Sequence, residues 1–249
     1  MTQHNMLSLV QEQLAIDLNC SVSDLNGEKD SLVFVAYKEN QGRRPFPRSS
    51  HHFEMLSMGN SIIVSATPDI MNIIKPELSG KDRDNAFSIP YILGHSLYYL
   101  PDLGVIKPLS APSGFDFEMA ERNDMLELYK NEGFHNSLSY DINHSRPDVI
   151  AFLAKHTGKV VGMAGASADC EKMWQVGMDV LPEYRNHGLA AYLVNNLTIE
   201  ILRRGIIPYY GTASSNVASQ RVAHRAGYLP IWMCAYRGRF EGMDVSPTS

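Results

Sequence analysis

The chain has 249 residues, 44% of them apolar and 20% charged, with a formal net charge of -5. That balance supplies a sizeable core and excludes a disordered chain, a collagen-like chain and a strongly basic nucleic-acid binder. At about 150 residues per domain the length admits one large domain or two modest ones. No apolar stretch is long enough to span a bilayer, so no membrane partner is expected. Met1 to Gln13 lacks a basic segment leading into an apolar one, so no secretion signal is read there. The cysteines, Cys20, Cys170 and Cys234, are odd in number, widely spaced and free of any zinc-type pattern. A reducing, cytoplasmic location and no metal are the expectation.

The predicted elements run as follows. Met6 to Leu18 is a helix, with Leu7, Val10, Leu14 and Leu18 near helical spacing. Ser31 to Tyr37 is a buried strand, and Phe53–Met58 with Ser61–Ser65 is a hairpin turned at Gly59-Asn60. His51 and His52, read as strand neighbours, point to opposite faces and lack partners at ligand spacing. Pro68 to Leu78 is a helix that stops before Gly80. Residues 107–114, with two prolines, two serines and a glycine, have loop chemistry. A boundary is placed there, between a small α+β domain (1–114) and a second domain (115–240) that precedes a polar tail (241–249).

In the second domain, strands are predicted over Phe115–Ala120, Val149–Lys155, Lys159–Ala168, Trp174–Leu181, Ile206–Ala213 and Tyr228–Tyr236, with helices over Asp124–Glu132, Leu189–Arg204 and Ser215–Ala226. The helix from Leu189 is the firmest: Leu189, Leu193, Leu197 and Ile201 form an i, i+4 stripe, and Gly205 is its stop. The expected fold class is α/β (α+β), a mixed sheet flanked by helices.

Charge is unevenly spread. Residues 184–240 carry seven arginines, no lysine and one acidic residue, in a chain that is acidic overall. Arginine suits planar, multi-donor recognition of phosphates and carboxylates. The same segment opens on a strand, a short loop and a helix, Met178 to Ala190. Gly188 and Ala190 let a ligand approach the backbone N–H groups of a helix N-terminus, where unsatisfied donors and the helix dipole favour an anion. Arg185 adds a charged donor. A phosphate or pyrophosphate site is the physical expectation.

Arg185-Asn186-His187-Gly188-Leu189-Ala190, after Val-x-Pro-Glu-Tyr, resembles the Arg/Gln-x-x-Gly-x-Gly/Ala loop of the GCN5-related N-acetyltransferase (GNAT) superfamily. Asn216-Val217-Ala218-Ser219, running on to Gly227-Tyr228, resembles that superfamily's Asn-x-x-Ala/Ser…Gly-Phe/Tyr helix. The turn at Thr157-Gly158 resembles its strand 2 to strand 3 hairpin. The resemblance covers residues 115–240. It implies acetyl-CoA as co-substrate, its pantetheine arm between splayed strands near Asp179 and Val180 and its pyrophosphate on Arg185, Asn186, His187, Gly188, Leu189 and Ala190. Asn216 and Ser219 are further cofactor candidates, and one or two of Arg221, Arg225 and Arg237 are expected to join Arg185.

The acid and base are less conventional. The superfamily often carries a tyrosine seven positions after the Asn, where this chain has Ala223, and some relatives carry Glu where this chain has Gln175. Asp179 is the candidate base or amine anchor, Ser219 the candidate thiolate donor, and Tyr210 (or Tyr209) the alternative donor. The implied activity is N-acetyl transfer to a small-molecule amine by direct attack. Two other readings stay open: a non-catalytic acyl-CoA-binding or sensing protein, and a protein or peptide N-acetyltransferase. The first domain would shape the acceptor pocket or be a degenerate half of a duplicated fold. The resemblance points to a bacterial enzyme; a homodimer is admitted by the sequence but not indicated by it.

Overall fold

The structure, a computed structural model, describes residues 1–46, 51–235 and 240. Its helices are α1 (Gln3–Leu18), α2 (Val22–Leu25), α3 (Pro68–Leu78), α4 (Arg83–Ala86), α5 (Met125–Leu128), α6 (Leu189–Arg203) and α7 (Val217–Ala226). Its strands are β1 (Leu32–Ala36), β2 (Phe53–Ser57), β3 (Ile62–Ala66), β4 (Ser96–Pro101), β5 (Asp116–Glu121), β6 (Asp148–His156), β7 (Lys159–Ala168), β8 (Met173–Val180), β9 (Ile207–Ala213) and β10 (Tyr228–Ala235). The fold is mixed α+β.

Two compact units divide the chain. Among the described residues, the first holds 1–6, 99–212 and 216–230; the second holds 7–46, 51–98, 213–215, 231–235 and 240. The division therefore falls inside α1, β4, β9 and β10, and the segment near residue 114 lies within the first unit. The 107–114 segment is irregular, as its composition predicts, yet it is bolted to the first unit. The buried Asn195 side chain accepts from Leu109 N–H (3.1 Å) and donates to the carbonyls of Lys107 (3.1 Å) and Ala226 (3.0 Å). A polar side chain buried in α6 is thereby fully used, which is the condition for its burial.

In the first unit the strands lie in the order β9-β8-β7-β6-β5. β5 through β8 are antiparallel neighbours, and β8 and β9 are parallel. The β6–β7 hairpin turns at Thr157-Gly158, both at positive φ. The stripe predicted for α6 is fully buried: Leu189, Leu193, Leu197 and Ile201 are each at most 1% exposed. α6 packs on β6, β7 and β8. α7 ends at Gly227, whose left-handed φ of 97° suits a residue without Cβ.

The second unit carries β1-β3-β2-β10, with β1 and β3 parallel and the rest antiparallel. The predicted hairpin and the α3 helix both form. Ile70, Ile74 and Leu78 of α3 meet Phe53, Met55, Ile62 and Val64 in one apolar cluster. His51 and His52 precede β2 and are not strand neighbours. His51 Nδ1 lies 2.7 Å from Asp69 Oδ2, and the His52 ring stacks on Tyr37 at 3.9 Å. Each is thus occupied by a local partner.

The predicted helix Asp124–Glu132 forms only in part, as a 3-10 turn (Arg122–Asp124) and the single turn α5. The Asn131 side chain donates to the Leu128 carbonyl at 3.1 Å, competing with helix continuation, and Gly133 takes a φ of 92°. The chain then enters a tightly tied loop, 131–141. Tyr140 Oη donates to Asn131 O (2.5 Å) and lies 3.2 Å from Phe134 N, which donates to it. The buried carboxylate of Asp148 accepts from Ser139 N (2.8 Å), Ser139 Oγ (2.7 Å) and Tyr129 Oη (2.8 Å). Burial pushes the Tyr129 phenol up to about 12.

Candidate functional site

The site begins where a strand pair stops pairing. β8 and β9 are matched from Met173 opposite Ile207 to Val176 opposite Tyr210. Both strands continue, to Val180 and Ala213, without partners across that pair. This is the splay that the sequence reading expected. It leaves Met178 and Val180 facing the β9 side without a strand partner, where an extended amide-bearing ligand can bond as a strand would.

β8 runs directly into the helix N-terminus. Pro182–Tyr184 form one 3-10 turn, Asn186 takes a φ of 65°, and Gly188 caps α6 at φ 81°. A side chain at Gly188 would be strained by that φ alone. The cap supplies no side-chain hydrogen bond to the helix. The first intrahelical bond is Tyr192 N to Gly188 O, 3.2 Å. The N–H groups of Leu189, Ala190 and Ala191 therefore lie before the hydrogen-bonded ladder, with the positive end of the helix dipole behind them. Asn186, His187 and Gly188 are exposed, and the His187 ring lies 6.3 Å from Phe115. Arg185 is also exposed. Its Nε donates to Val180 O at 3.1 Å, which fixes the guanidinium at the join between β8 and the loop. Donors, dipole and cation thus lie along one short loop, a combination that favours an anion.

The rest of the arginine-rich segment separates into two groups. Arg203 and Arg204 are spent on Glu200, and Arg204 also on Glu121. Arg221 and Arg225 are exposed on α7 and form no ion pair among the described residues. Arg237 and Arg239 lie outside the described residues, as do Tyr236 and the 241–249 tail.

Of the candidate catalytic residues, two come together. Tyr210 on β9 and Ser219 on α7 place their hydroxyls 2.7 Å apart. Burial pushes the Tyr210 phenol above its ordinary range, and the Asp179 charge adds to the effect. The phenol is a neutral proton donor at ordinary pH. Asn216 caps α7, its side-chain oxygen accepting from Ser219 N at 3.1 Å. This bond holds Ser219 in the first turn. His224 faces Tyr99, ring centroids 5.7 Å apart. Tyr210 and Tyr228 rings lie 6.1 Å apart, and the Tyr228 hydroxyl reaches Thr198 Oγ1 at 2.6 Å.

Asp179 sits apart from that pair in role. Its Oδ2 accepts from Asn136 N (2.8 Å) and Ser137 N (2.9 Å), and its Oδ1 from Asn136 Nδ2 (2.5 Å). Ser137 Oγ lies 3.0 Å from the same carboxylate and 2.8 Å from Met163 O. Asp179 thus ties the 131–141 loop to β8. Sequence reading missed this loop, because neither Asn136 nor Ser137 belongs to a recognisable motif.

Gln175 and Tyr209 point into a second polar cluster. Arg146 Nη1 donates to Gln175 Oε1 at 2.9 Å and lies 3.5 Å from Asp169 Oδ2. Tyr209 Oη donates to the same Asp169 oxygen, and Ser167 Oγ to the other at 2.7 Å. Tyr209 is fully buried. Its hydroxyl is therefore a structural strut, and of the two neighbouring tyrosines only Tyr210 reaches α7. Among the described residues no group of three or more His, Cys, Asp or Glu is placed to hold a metal ion. No helix among them is long and apolar enough to cross a membrane.

Residues 117–228 match the model of the Acetyltransferase (GNAT) family. Solved structures that resemble the chain include a GNAT-family protein from Novosphingobium aromaticivorans DSM 12444, at 22% identity and TM-score 0.43, covering 57% of this chain and 63% of that one. A GCN5-related N-acetyltransferase-like protein from Streptococcus suis 89/1591 gives 19% identity and TM-score 0.41, with 72% of each chain covered. An acetyltransferase of the GNAT family from Colwellia psychrerythraea gives 15% identity and TM-score 0.46, covering 71% of this chain and 76% of that one. The chain thus spans less than two thirds of the Novosphingobium protein. No curated protein matches it.

Proposed function

The chain carries a GNAT-family acyltransferase domain over residues 117–228, and on that premise we propose that it transfers an acetyl group from acetyl-CoA to the amine of a small molecule. The observation that carries the reading is the end of β8–β9 pairing at Val176 and Tyr210, directly upstream of an uncapped helix N-terminus. A pantetheine arm would bond along Gly177–Val180, with its pyrophosphate on the N–H groups of Leu189–Ala191 and on Arg185.

The chemistry follows from those placements. The amine attacks the thioester carbonyl carbon, and the carbonyl π electrons move to oxygen. Collapse of the tetrahedral intermediate breaks the C–S bond and expels the CoA thiolate. Tyr210, a neutral phenol supported by Ser219, gives the thiolate its proton. The excess proton on the new ammonium passes through solvent to the Tyr210 phenolate and restores the phenol. Ala223, at the position where the superfamily often carries tyrosine, has no proton to give. The Tyr210–Ser219 pair supplies from β9 and α7 together what one residue would supply elsewhere.

The test is thiol release from acetyl-CoA with a panel of primary amines. Turnover with at least one small amine supports the reading. Binding of acetyl-CoA with no turnover of any acceptor favours a non-catalytic acyl-CoA-binding protein instead, the reading that the hydrogen-bonded state of Asp179 keeps in view.

A further inference from the structure

β8 has two faces at the splay. Val180 turns toward α6, where its Cγ2 and Leu193 Cδ1 converge over Gly162. Gln175, Gly177 and Asp179 alternate onto the opposite face. Gly165 and Gly177 are direct cross-strand partners there. A Cβ built on Gly177 would overlap the Asn136 carbonyl oxygen, and one on Gly165 the Ser137 carbonyl oxygen. The 136–137 backbone therefore rests on the bare backbone of β7 and β8, two residues from the carboxylate that holds its N–H groups.

With α6 and α7 on one face, an amine reaching a thioester at the splay comes from the other. The fixed structure bordering that approach is the Asn136–Ser137 segment. We propose that Asp179 is a positioning residue: with Gly165 and Gly177 it fixes the Asn136–Ser137 backbone as a rigid wall of the acceptor site, and it does not take the acceptor's proton. This rests on the acetyltransferase reading above. Two backbone N–H groups, one carboxamide N–H and the Ser137 hydroxyl lie within hydrogen-bond distance of the Asp179 oxygens, as many donors as a carboxylate has lone-pair sites. A base needs a free lone pair aimed at the amine. A residue that holds a wall needs donors on both oxygens, which is what Asp179 has. The wall is backbone seated on backbone, so its shape is insensitive to side-chain rotamers and selects acceptors by size.

The test compares wild type with Asp179→Asn and Gly177→Ala, using the best-turned-over amine of the panel as acceptor probe. Asp179→Asn presents an amide to the donors of the wall; Gly177→Ala leaves the carboxylate intact and pushes the wall off the sheet. Both are expected to raise the acceptor KM about tenfold or more, since ångström-scale misplacement of a bound reactant carries effects of that size. The acetyl-CoA KM should stay within about twofold, and the pH profile of kcat should keep its shape. Should Asp179→Asn fail to fold, Ser137→Ala with Gly177→Ala gives the same comparison. An unchanged acceptor KM in the variants overturns the proposal. So does a collapse of kcat in Asp179→Asn that abolishes the acid limb of the profile, which would mark Asp179 as the base. A wild-type protein that turns over no panel amine overturns the underlying reading, and this proposal with it.

Discussion

The Tyr210 hydroxyl lies 2.7 Å from Ser219 Oγ, joining the one tyrosine of β9 that faces α7 to the first turn of that helix. The pair exists because β9 alternates its side chains. Tyr209 goes to the Asp169 cluster, and Tyr210 goes to the helix. Ser219 is held in place in turn by the Asn216 cap.

Tyr210→Phe is expected to lower kcat by about a hundredfold, the usual scale for losing a positioned proton donor. The KM for acetyl-CoA should change little. Ser219→Ala should cost less, because the phenol retains its own proton. Steady-state kinetics at saturating acceptor separate the two. Equal, negligible effects of both substitutions would remove this pair from the mechanism.

Arg185→Ala removes the cation fixed at the β8–α6 join. Its KM for acetyl-CoA should rise about tenfold or more, as for one charge-assisted contact of about 1.5–3 kcal/mol. The effect should shrink at high salt, because an exposed arginine is screened. An unchanged KM would count against phosphate recognition at this loop.

Tyr228→Phe tests a buried polar pair with no part in the chemistry. Tyr228 and Thr198 are almost fully buried and 2.6 Å apart, and Thr198 Oγ1 also donates to the Val194 carbonyl at 2.6 Å. Removing the phenol oxygen leaves Thr198 with that second partner. The expected cost is about 1 kcal/mol in urea denaturation.

His52 sets a pH dependence in the second unit. Burial, with the Arg43 charge as the smaller cause, lowers its pKa from 6.5 to about 4. The folded protein keeps this imidazole neutral where the unfolded chain would protonate it. Its contribution is thus fully present above about pH 6.5 and is lost as pH falls toward 4. His52→Gln should flatten the decline of Tm over that window. An identical pH dependence in the variant would remove His52 as its source.

What was legible in the sequence depended on local pattern. The α6 stripe and the β6–β7 turn are written in neighbouring residues, and so is the strand–loop–helix passage from β8 through Gly188 into α6. The 131–141 loop was not legible. Asp179 is about forty residues away from the backbone it holds, and Asp148 is separated from Tyr129 by the whole loop, so no local spacing encodes either tie. The same holds for the arginines: seven in one segment look like a single anion site, but Arg203 and Arg204 are neutralised by Glu200 and Glu121. β4 was missed because its apolar run is short and ends at a proline. The boundary near residue 114 was read from loop chemistry, which marks a connection but says nothing of the unit to which the connection is bonded. Asn195 decides that, from within α6.

The central claim is that acetyl-CoA lies along the unpaired end of β8 and on the first turn of α6. Amide hydrogen exchange with and without acetyl-CoA tests it directly. Binding should slow exchange at Gly177–Val180 and at Leu189–Ala191, and leave α3 in the second unit unchanged. Protection absent from both of the first two segments, with acetyl-CoA demonstrably bound, would contradict it.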